Sequence, residues 1–468
     1  MGAIDFFVPI YSLLPEVRHP EVQPPLKTKL MWTAVVLGLF YVMGNINVIG
    51  IDVAKSAGGQ LEQLQVILAS SVGSLITVGI GPIVLASIIL QLLVGAKIIE
   101  LDVTQKEDKA KFTGMQKLLT LVLSFFEAGV YVFSGLVYPL EGMFPLVVAQ
   151  IAFGSILLMY LDEVVSKYGI GSGISLFIAA GVAADIVWRV FLPPTRGGLL
   201  KGLLFVFIDY LGAGDFGAAL ISIMPLLFTL IVFFVVTFAE GIHVNIPITM
   251  GRKGTGGRFP VKFLYVSNMP VILAVALFAN VRLWAELAKN TPVLGMALSG
   301  VAAVVQPPNG FIERLFLQGA GLSVFNEIAQ SVVRLQFVGS GGLVLHALLY
   351  IVVLTVVCVL FGRFWIDMAN QGPEAVSQQL DKAGMMIPGF RRDPRVIRRV
   401  LERYIPPISI LGSAFVGLLS GFADLTGALG SGTGILLTVG IVYRLYEELA
   451  RLQLMEMHPL LGKLFGQG

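Results

Sequence analysis

The chain has 468 residues, of which 56% are hydrophobic and only 13% charged, with a mean hydropathy of +0.86 and a net charge of +3. Soluble domains hold roughly 25% charged residues, so this composition excludes a water-soluble enzyme, a coiled coil, a disordered tail and a disulfide scaffold. It leaves an all-α integral membrane protein with many spans; the net charge is too small to make nucleic acid the main partner, and the lone Cys358 permits neither a disulfide framework nor a CxxC metal site.

Residues 1–29 read as a cytoplasmic N-terminal segment lying on the interface. Met1 to Pro25 carries Asp5, Glu16 and several prolines, lacks the basic and apolar regions of a cleavable signal, and has no Ser/Thr placed for myristoylation at Gly2. A first five-helix half then occupies 30–190. Its spans are predicted at Leu30–Ile51, 80–96, Leu118–Leu140 with the single acid Glu127, Gly142–Leu161 and Tyr168–Ala184. The apolar stretch Gln63–Ala96 is too long for one span. Gly73, Gly79 and the Gly81-Pro82 pair divide it into a short half-helix at about 63–74 and a full span after it.

An external connection at 191–215 leads to the second half, 216–452, with spans at Phe216–Ala239, Phe263–Val281, Leu335–Gly362, Tyr404–Ala423 and Leu425–Tyr443. Between them lie basic cytoplasmic loops at 241–262 and 363–403 and an external loop at 287–334; a cytoplasmic tail, 453–468, ends the chain. Asn290–Ile312 is uncharged, but Pro292, Gly295, Gly300 and Pro307-Pro308-Asn309-Gly310 mark it as loop or re-entrant structure. Ten spans with both termini inside place 24 of the 32 Lys and Arg on the cytoplasmic side, as the positive-inside rule requires. An eleventh span would put Arg363–Arg403 outside.

Five spans per half force the halves to start from opposite faces, which is the geometry of an inverted repeat. Two local matches support it. Pro82-Ile83-Val84-Leu85-Ala86 resembles Pro270-Val271-Ile272-Leu273-Ala274, and Gly171-Ser172-Gly173-Ile174-Ser175-Leu176 resembles Gly432-Thr433-Gly434-Ile435-Leu436-Leu437. A two-fold axis in the membrane plane would gather spans 2, 5, 7 and 10 at the centre. Those spans supply Ile80, Val84, Ile174, Ile178, Ile272 and Leu437, six aliphatic residues with no charge among them, where a solute transporter normally places ionisable groups. Periodicity alone reads them as core packing. Against this stands Gly79-Ile80-Gly81-Pro82, because broken backbone is tolerated only against protein or a water-filled cavity. The preceding half-helix, with Ala69, Ser70, Ser71, Gly73 and Ser74, is small-sided and suited to movement.

Interior polar residues read mainly as structural. Glu127 is expected to be paired within the bundle, and Gln91 and Asn280 to hydrogen-bond between spans. Ser172 between two glycines, with His346 as a base, would be a minimal protease, but nothing else catalytic accompanies them. Gly212-Ala213-Gly214-Asp215 lacks a second intramembrane Asp, the four histidines lack metal-ligand spacing, and there is no phosphate-binding loop. No enzymatic activity and no cofactor are expected. The two basic loops carry Arg252, Lys253 and Arg258, and Arg391, Arg392, Arg395, Arg398 and Arg399. They suit anionic lipid, topology signals or a phosphate-rich surface such as RNA.

Taken together, several stretches resemble the SecY family, the central subunit of the protein translocation channel, in its archaeal and eukaryotic form. They are Leu75–Val84, Tyr160-Leu161-Asp162-Glu163 with Lys167–Ile174, Tyr265-Val266-Ser267-Asn268, Arg403-Tyr404-Ile405-Pro406-Pro407 and Gly427-Ala428-Leu429-Gly430. The resemblance implies that the six aliphatics form a pore ring, that 63–74 is a plug, and that a lateral gate lies between spans 2–3 and 7–8 near Gln91 and Asn280. It implies that the basic loops dock a ribosome. It also implies SecE-like gamma and beta membrane subunits, signal sequences and nascent polypeptides as partners, within the lipid of the cell membrane. Leu85 stands where some relatives carry a small hydroxyl residue. The other reading of the same chain is an inverted-repeat secondary transporter of a small solute.

Overall fold

The computed structural model describes residues 8–457 except 23, 53–70, 72, 96–97, 100, 102–104, 193–200, 251–254, 267–268, 289–290, 292, 309–310, 312–341, 370, 383–384, 387–393 and 431. Among the described residues ten helices carry the fold: α1 (Leu26–Asn45), α2 (Gly81–Gly95), α3 (Lys106–Phe133), α4 (Phe144–Tyr168), α5 (Gly173–Phe191), α6 (Phe216–Gly241), α7 (Met269–Ala288), α8 (Leu343–Met368), α9 (Pro394–Leu425) and α10 (Gly432–Met457). Every one overlaps a predicted span. Eight are long and apolar enough to cross a membrane. Of the other two, α2 has 15 residues, about 22 Å of helix against a hydrocarbon core of ~30 Å, and α10 carries Arg444 at its middle and Glu447, Glu448 and Arg451 in its second half. Proline punctuates the starts, with Pro82, Pro145, Pro270 and Pro394 in the first turns of α2, α4, α7 and α9. There a missing N–H costs nothing and the fixed φ suits a helix.

Several boundaries differ from expectation. The chain leaves helix at Asn45, so 46–51 is irregular, with isolated bridges at Asn47 and Ile51 and a turn through Gly50, rather than the end of the first span. Residues 426–430 turn back before α10 begins, with Gly427 and Gly430 at φ +65° and +71°. Leu203–Gly212 in the connection and Leu294–Val304 in the stretch read as loop or re-entrant are both short helices, and the second, at 11 residues, cannot span. The mostly helical chain expected from the sequence also carries one small three-stranded antiparallel sheet, β1 (His243–Met250), β2 (Thr255–Lys262) and β3 (Met385–Met386), in the order β2-β1-β3. Its hydrogen-bonded ladder joins the two regions read as separate basic loops.

The two halves share one packing scheme. In the first, α1 packs on α4 and α5, α2 on α3 and α4, α3 on α4, and α4 on α5; in the second, α6 packs on α9 and α10, α7 on α8 and α9, α8 on α9, and α9 on α10. The scheme repeats pair for pair. Across the halves α2 meets α7 and α8, α3 meets α7, and α5 meets α10. That last contact fixes the relative direction. Gly171, two residues before α5, abuts Leu445 in the second half of α10, and Gly430, two residues before α10, abuts Val182 and Ile186 in the second half of α5. The equivalent helices therefore run antiparallel, and the repeat is an inverted one.

Small residues set the tightest seam in the second half. A Cβ at Gly362 of α8 would fall 2.1 Å from Ser413 Oγ of α9, and one at Gly417 of α9 2.8 Å from Thr355 Cα of α8. Such close approach is how apolar helices gain dispersion contact where lipid offers no hydrophobic drive.

Candidate functional site

The six aliphatic residues all belong to the large apolar core that spans both halves. Ile80, Val84, Ile178, Ile272 and Leu437 are buried in one hydrophobic cluster, and Ile174 is partly buried against it. Ile80, Ile178 and Leu437 are 1%, 1% and 0% exposed. Local sequence produces the placement: Gly79 takes φ +63°, the chain turns through 79–80, and Pro82 starts α2 with Val84 on its first turn. Pro270 does the same for Ile272 on α7.

The starts of α5 and α10 are held by two carboxylates. Asp162 of α4 accepts from the Ile174 backbone N–H at 2.9 Å and the Ser172 hydroxyl at 3.3 Å. Asp424 of α9 accepts from the Thr433 N–H at 3.2 Å, the Thr433 hydroxyl at 2.9 Å and the Tyr350 hydroxyl at 2.7 Å. In each case the first helical residue is a glycine in van der Waals conflict with any Cβ. A methyl on Gly173 would lie 2.5 Å from Asp162 Cα, and one on Gly432 2.3 Å from the Asp424 nitrogen. Hence Gly173 corresponds to Gly432, Ile174 to Thr433 and Ile178 to Leu437. The sequence match had paired Gly171 with Gly432, two residues out of register, because it weighed the Gly-x-Gly pattern rather than which glycine touches the preceding helix. The Pro82 and Pro270 match keeps its register and pairs Val84 with Ile272.

Other expected residues divide. Of the plug, Ala69 and Ser70 lie outside the described residues; Ser71, Gly73 and Ser74 are turn and bridge rather than helix. They are tied down: Val48 N–H donates to Gly73 O at 2.9 Å, Leu75 N–H to Ile46 O at 2.9 Å, and Ser74 Oγ to Ser71 O at 2.7 Å. Gln91 lines a small void between α2, α7 and α8 with Leu273, Phe361 and Trp365. Asn280 lies seven residues beyond Leu273, about 10 Å along α7, and its amide donates within its own helix to Ala276 O at 2.9 Å. Gln91 thus faces α7 and α8, and Asn280 hydrogen-bonds within its own helix where a bond between helices was expected. Glu127 is buried, yet its Oε1 has no hydrogen-bond partner, so the expected pairing is absent at that oxygen. The Ser172–His346 dyad does not form, since His346 Nε2 faces Ala303 O at 2.8 Å.

Among the described residues, Arg258, Arg395, Arg398 and Arg399 belong to one folded body. Ile246, Val261, Ile366, Val376, Leu380, Ile397, Leu401 and Ile405 form a separate core joining the sheet, the end of α8, the short helix Pro373–Lys382 and the start of α9. Arg258 is exposed on β2, and Arg395, Arg398 and Arg399 are exposed on the first turns of α9. Arg252, Lys253, Arg391 and Arg392 lie outside the described residues. Arg398 is engaged by Glu402 at 2.8 Å and Glu374 at 3.3 Å. Lys262 ties the body to α10, pairing with Glu447 at 2.5 Å and lying over the Tyr443 ring. At the same end Lys167 binds Glu163, Glu16 and the Val17 carbonyl, stapling the N-terminal segment beneath α4. That hydrogen bond holds the Glu16 carboxyl below its ordinary pKa. The signal for the sheet was present in the alternation Val244, Ile246, Ile248 and the glycines at 254–257, but Pro247 and Pro260 argue against a strand.

Such a fold defines a multi-pass helical membrane protein, internally duplicated and inverted, with one apolar core shared by its halves. The family model described as SecY matches residues 74–446, and the chain belongs to the SecY family. It is 43% identical to the protein translocase subunit SecY of Methanothermobacter thermautotrophicus over 98% of both chains, and 39% identical to that of Pyrococcus furiosus over the whole of both. Among solved structures it matches "The structure of a protein conducting channel" with a TM-score of 0.79 at 42% identity, covering 97% of this chain and 98% of the other. It matches Sec61 in a canine ribosome–channel complex with a TM-score of 0.77 at 42% identity over the same shares.

Proposed function

We propose that the chain is the central subunit of a channel through which unfolded polypeptides cross the cell membrane, with ten crossings, both termini cytoplasmic, and a lateral gate between α2–α3 and α7–α8 that releases apolar segments into lipid. The observation that supports this reading is that Ile80 and Ile178 of one half and Leu437 of the other belong to one apolar core at almost zero exposure. A polypeptide path must pass any side chain and leak few ions at rest. Aliphatic walls meet both needs, because a narrow apolar constriction disfavours water and offers no directional bond to detain a moving chain. Segment 63–74 is its plug. The work is passage and not bond-making, so the chain needs neither catalytic group nor cofactor.

The folded basic body is the docking face for the ribosome. Exposed arginines on a rigid sheet and helix end attract phosphate through a long-range, salt-screened term, and Lys262 links that face to α10. Small SecE-like gamma and beta subunits surround the helices in lipid, and signal sequences enter at the gate. The test is planar-bilayer conductance of the folded double variant Ile80→Asn/Ile272→Asn. Polar groups should wet the constriction and raise resting ion conductance while export continues; a folded variant no leakier than the unaltered channel would refute the constriction.

A further inference from the structure

We propose that Asp162 and Asp424 are positioning residues for the constriction, paired clamps that hold the first turns of α5 and α10 so that Ile174, Ile178 and Leu437 close the path. The inference rests on the constriction reading above. Each carboxylate lies on the helix preceding the one it holds and accepts the N–H of that helix's second residue, Ile174 or Thr433. This is one of the donors a helix start leaves without an internal partner. Each also takes a hydroxyl from the same start, Ser172 or Thr433. Glycine in first position lets the two backbones touch.

Position gives the clamps their role. Ile174 is both the residue held and a member of the constriction, while Ile178 and Leu437 each lie four residues past the held N–H, about 6 Å along the helix. The two clamps sit at opposite ends of an antiparallel helix pair whose starts rest on one another's second halves through Gly171 and Gly430. Apolar packing alone lets a helix creep by exchanging rotamers. A carboxylate with several donors holds one position and loses all its bonds together when that position is left. Releasing either clamp therefore lets one side of the closure drift, and the resting path opens more often.

A role limited to stability would lower Tm and leave the seal intact, so the readout is resting conductance. The full chain, reconstituted with the small subunits that co-purify with it, is compared with Asp424→Ala, Asp162→Ala, Thr433→Val, Ser172→Ala, the conservative Thr433→Ser, and the double variant Ile80→Asn/Ile272→Asn. Folded Thr433→Val should conduct at rest roughly fivefold more than the unaltered channel, the shift expected when about one net hydrogen bond leaves a two-state balance, and folded Asp424→Ala, which loses three, should conduct at least as much. Thr433→Ser should restore the seal. If the aspartate variants do not fold, Thr433→Val and Ser172→Ala carry the comparison. Folded clamp variants that seal as tightly as the unaltered channel while the double variant leaks would overturn the clamp and leave the constriction standing. If the double variant is also tight, both fall.

Discussion

The two clamps share a plan and differ in their donors. Asp162, near the sheet-bearing end, takes one hydroxyl at the long distance of 3.3 Å, whereas Asp424, equally half-buried, takes two, from Thr433 and from Tyr350 on a third helix. Ser420 extends the second network by donating to the Thr433 hydroxyl at 2.9 Å. The same packing scheme thus carries unequal polar anchoring. The donors differ in burial, Tyr350 and Thr433 being 3% and 1% exposed and Ser172 half-buried, so solvent can replace a lost Ser172 hydroxyl more readily than a lost Tyr350 or Thr433 hydroxyl. The second half should therefore be the more sensitive to loss of a single group.

The comparison breaks most visibly at the glycines. Gly432→Val drives a branched side chain into the α9 backbone, where even a methyl would lie 2.2 Å from the Ala423 carbonyl carbon. Loss of about 3 kcal/mol or more is expected, seen as failure to recover monodisperse protein in detergent. A folded Gly432→Val would show that the α9–α10 contact can spread apart.

Removing one hydroxyl from each clamp sharpens the comparison. Tyr350→Phe should cost about 2 kcal/mol and Ser172→Ala less than about 1 kcal/mol, measured as Tm shifts in the same detergent. Equal shifts would mean that water reaches both sites alike. Outside the membrane, Glu374→Ala removes an exposed partner of Arg398 and should leave Tm unchanged within error, since such pairs contribute little. Ribosome binding at moderate salt should not weaken in this variant, because an arginine released from a carboxylate presents more positive charge to phosphate. Weaker binding would show that Glu374 orients Arg398 instead of competing for it.

Much of this was legible in the sequence where glycine and proline dictate geometry. Gly79 to Pro82 and Met269-Pro270 announce the starts of α2 and α7, and with them Val84 and Ile272, because each break permits one chain direction. The register of α5 against α10 was not legible. Gly171, Gly173, Gly432 and Gly434 are equivalent as letters, and only contact with Asp162 or Asp424 tells them apart. Asp162 and Asp424 themselves attracted no notice as a pair, since the spacing to the held N–H differs, 12 residues in one half and 9 in the other. The basic body was missed because its core draws residues from 246 to 405, and each piece alone reads as a charged loop.

The α8–α9 seam bears on how such a molecule can move. Gly362, Gly417 and Gly421 bring α8 and α9 so close that Ser413, Cys358 and Ile351 fill what little space is left, so few rotamers lie between the helices and the seam has little room to yield gradually. Between α2 and α8 the contact is made by Gln91, Leu92, Phe361, Phe364 and Trp365 around a void, long side chains with many staggered states. Mobility is thus written into the inventory of side-chain torsions at each interface. The chain behaves as rigid blocks welded where the residues are smallest, and hinged where they are largest.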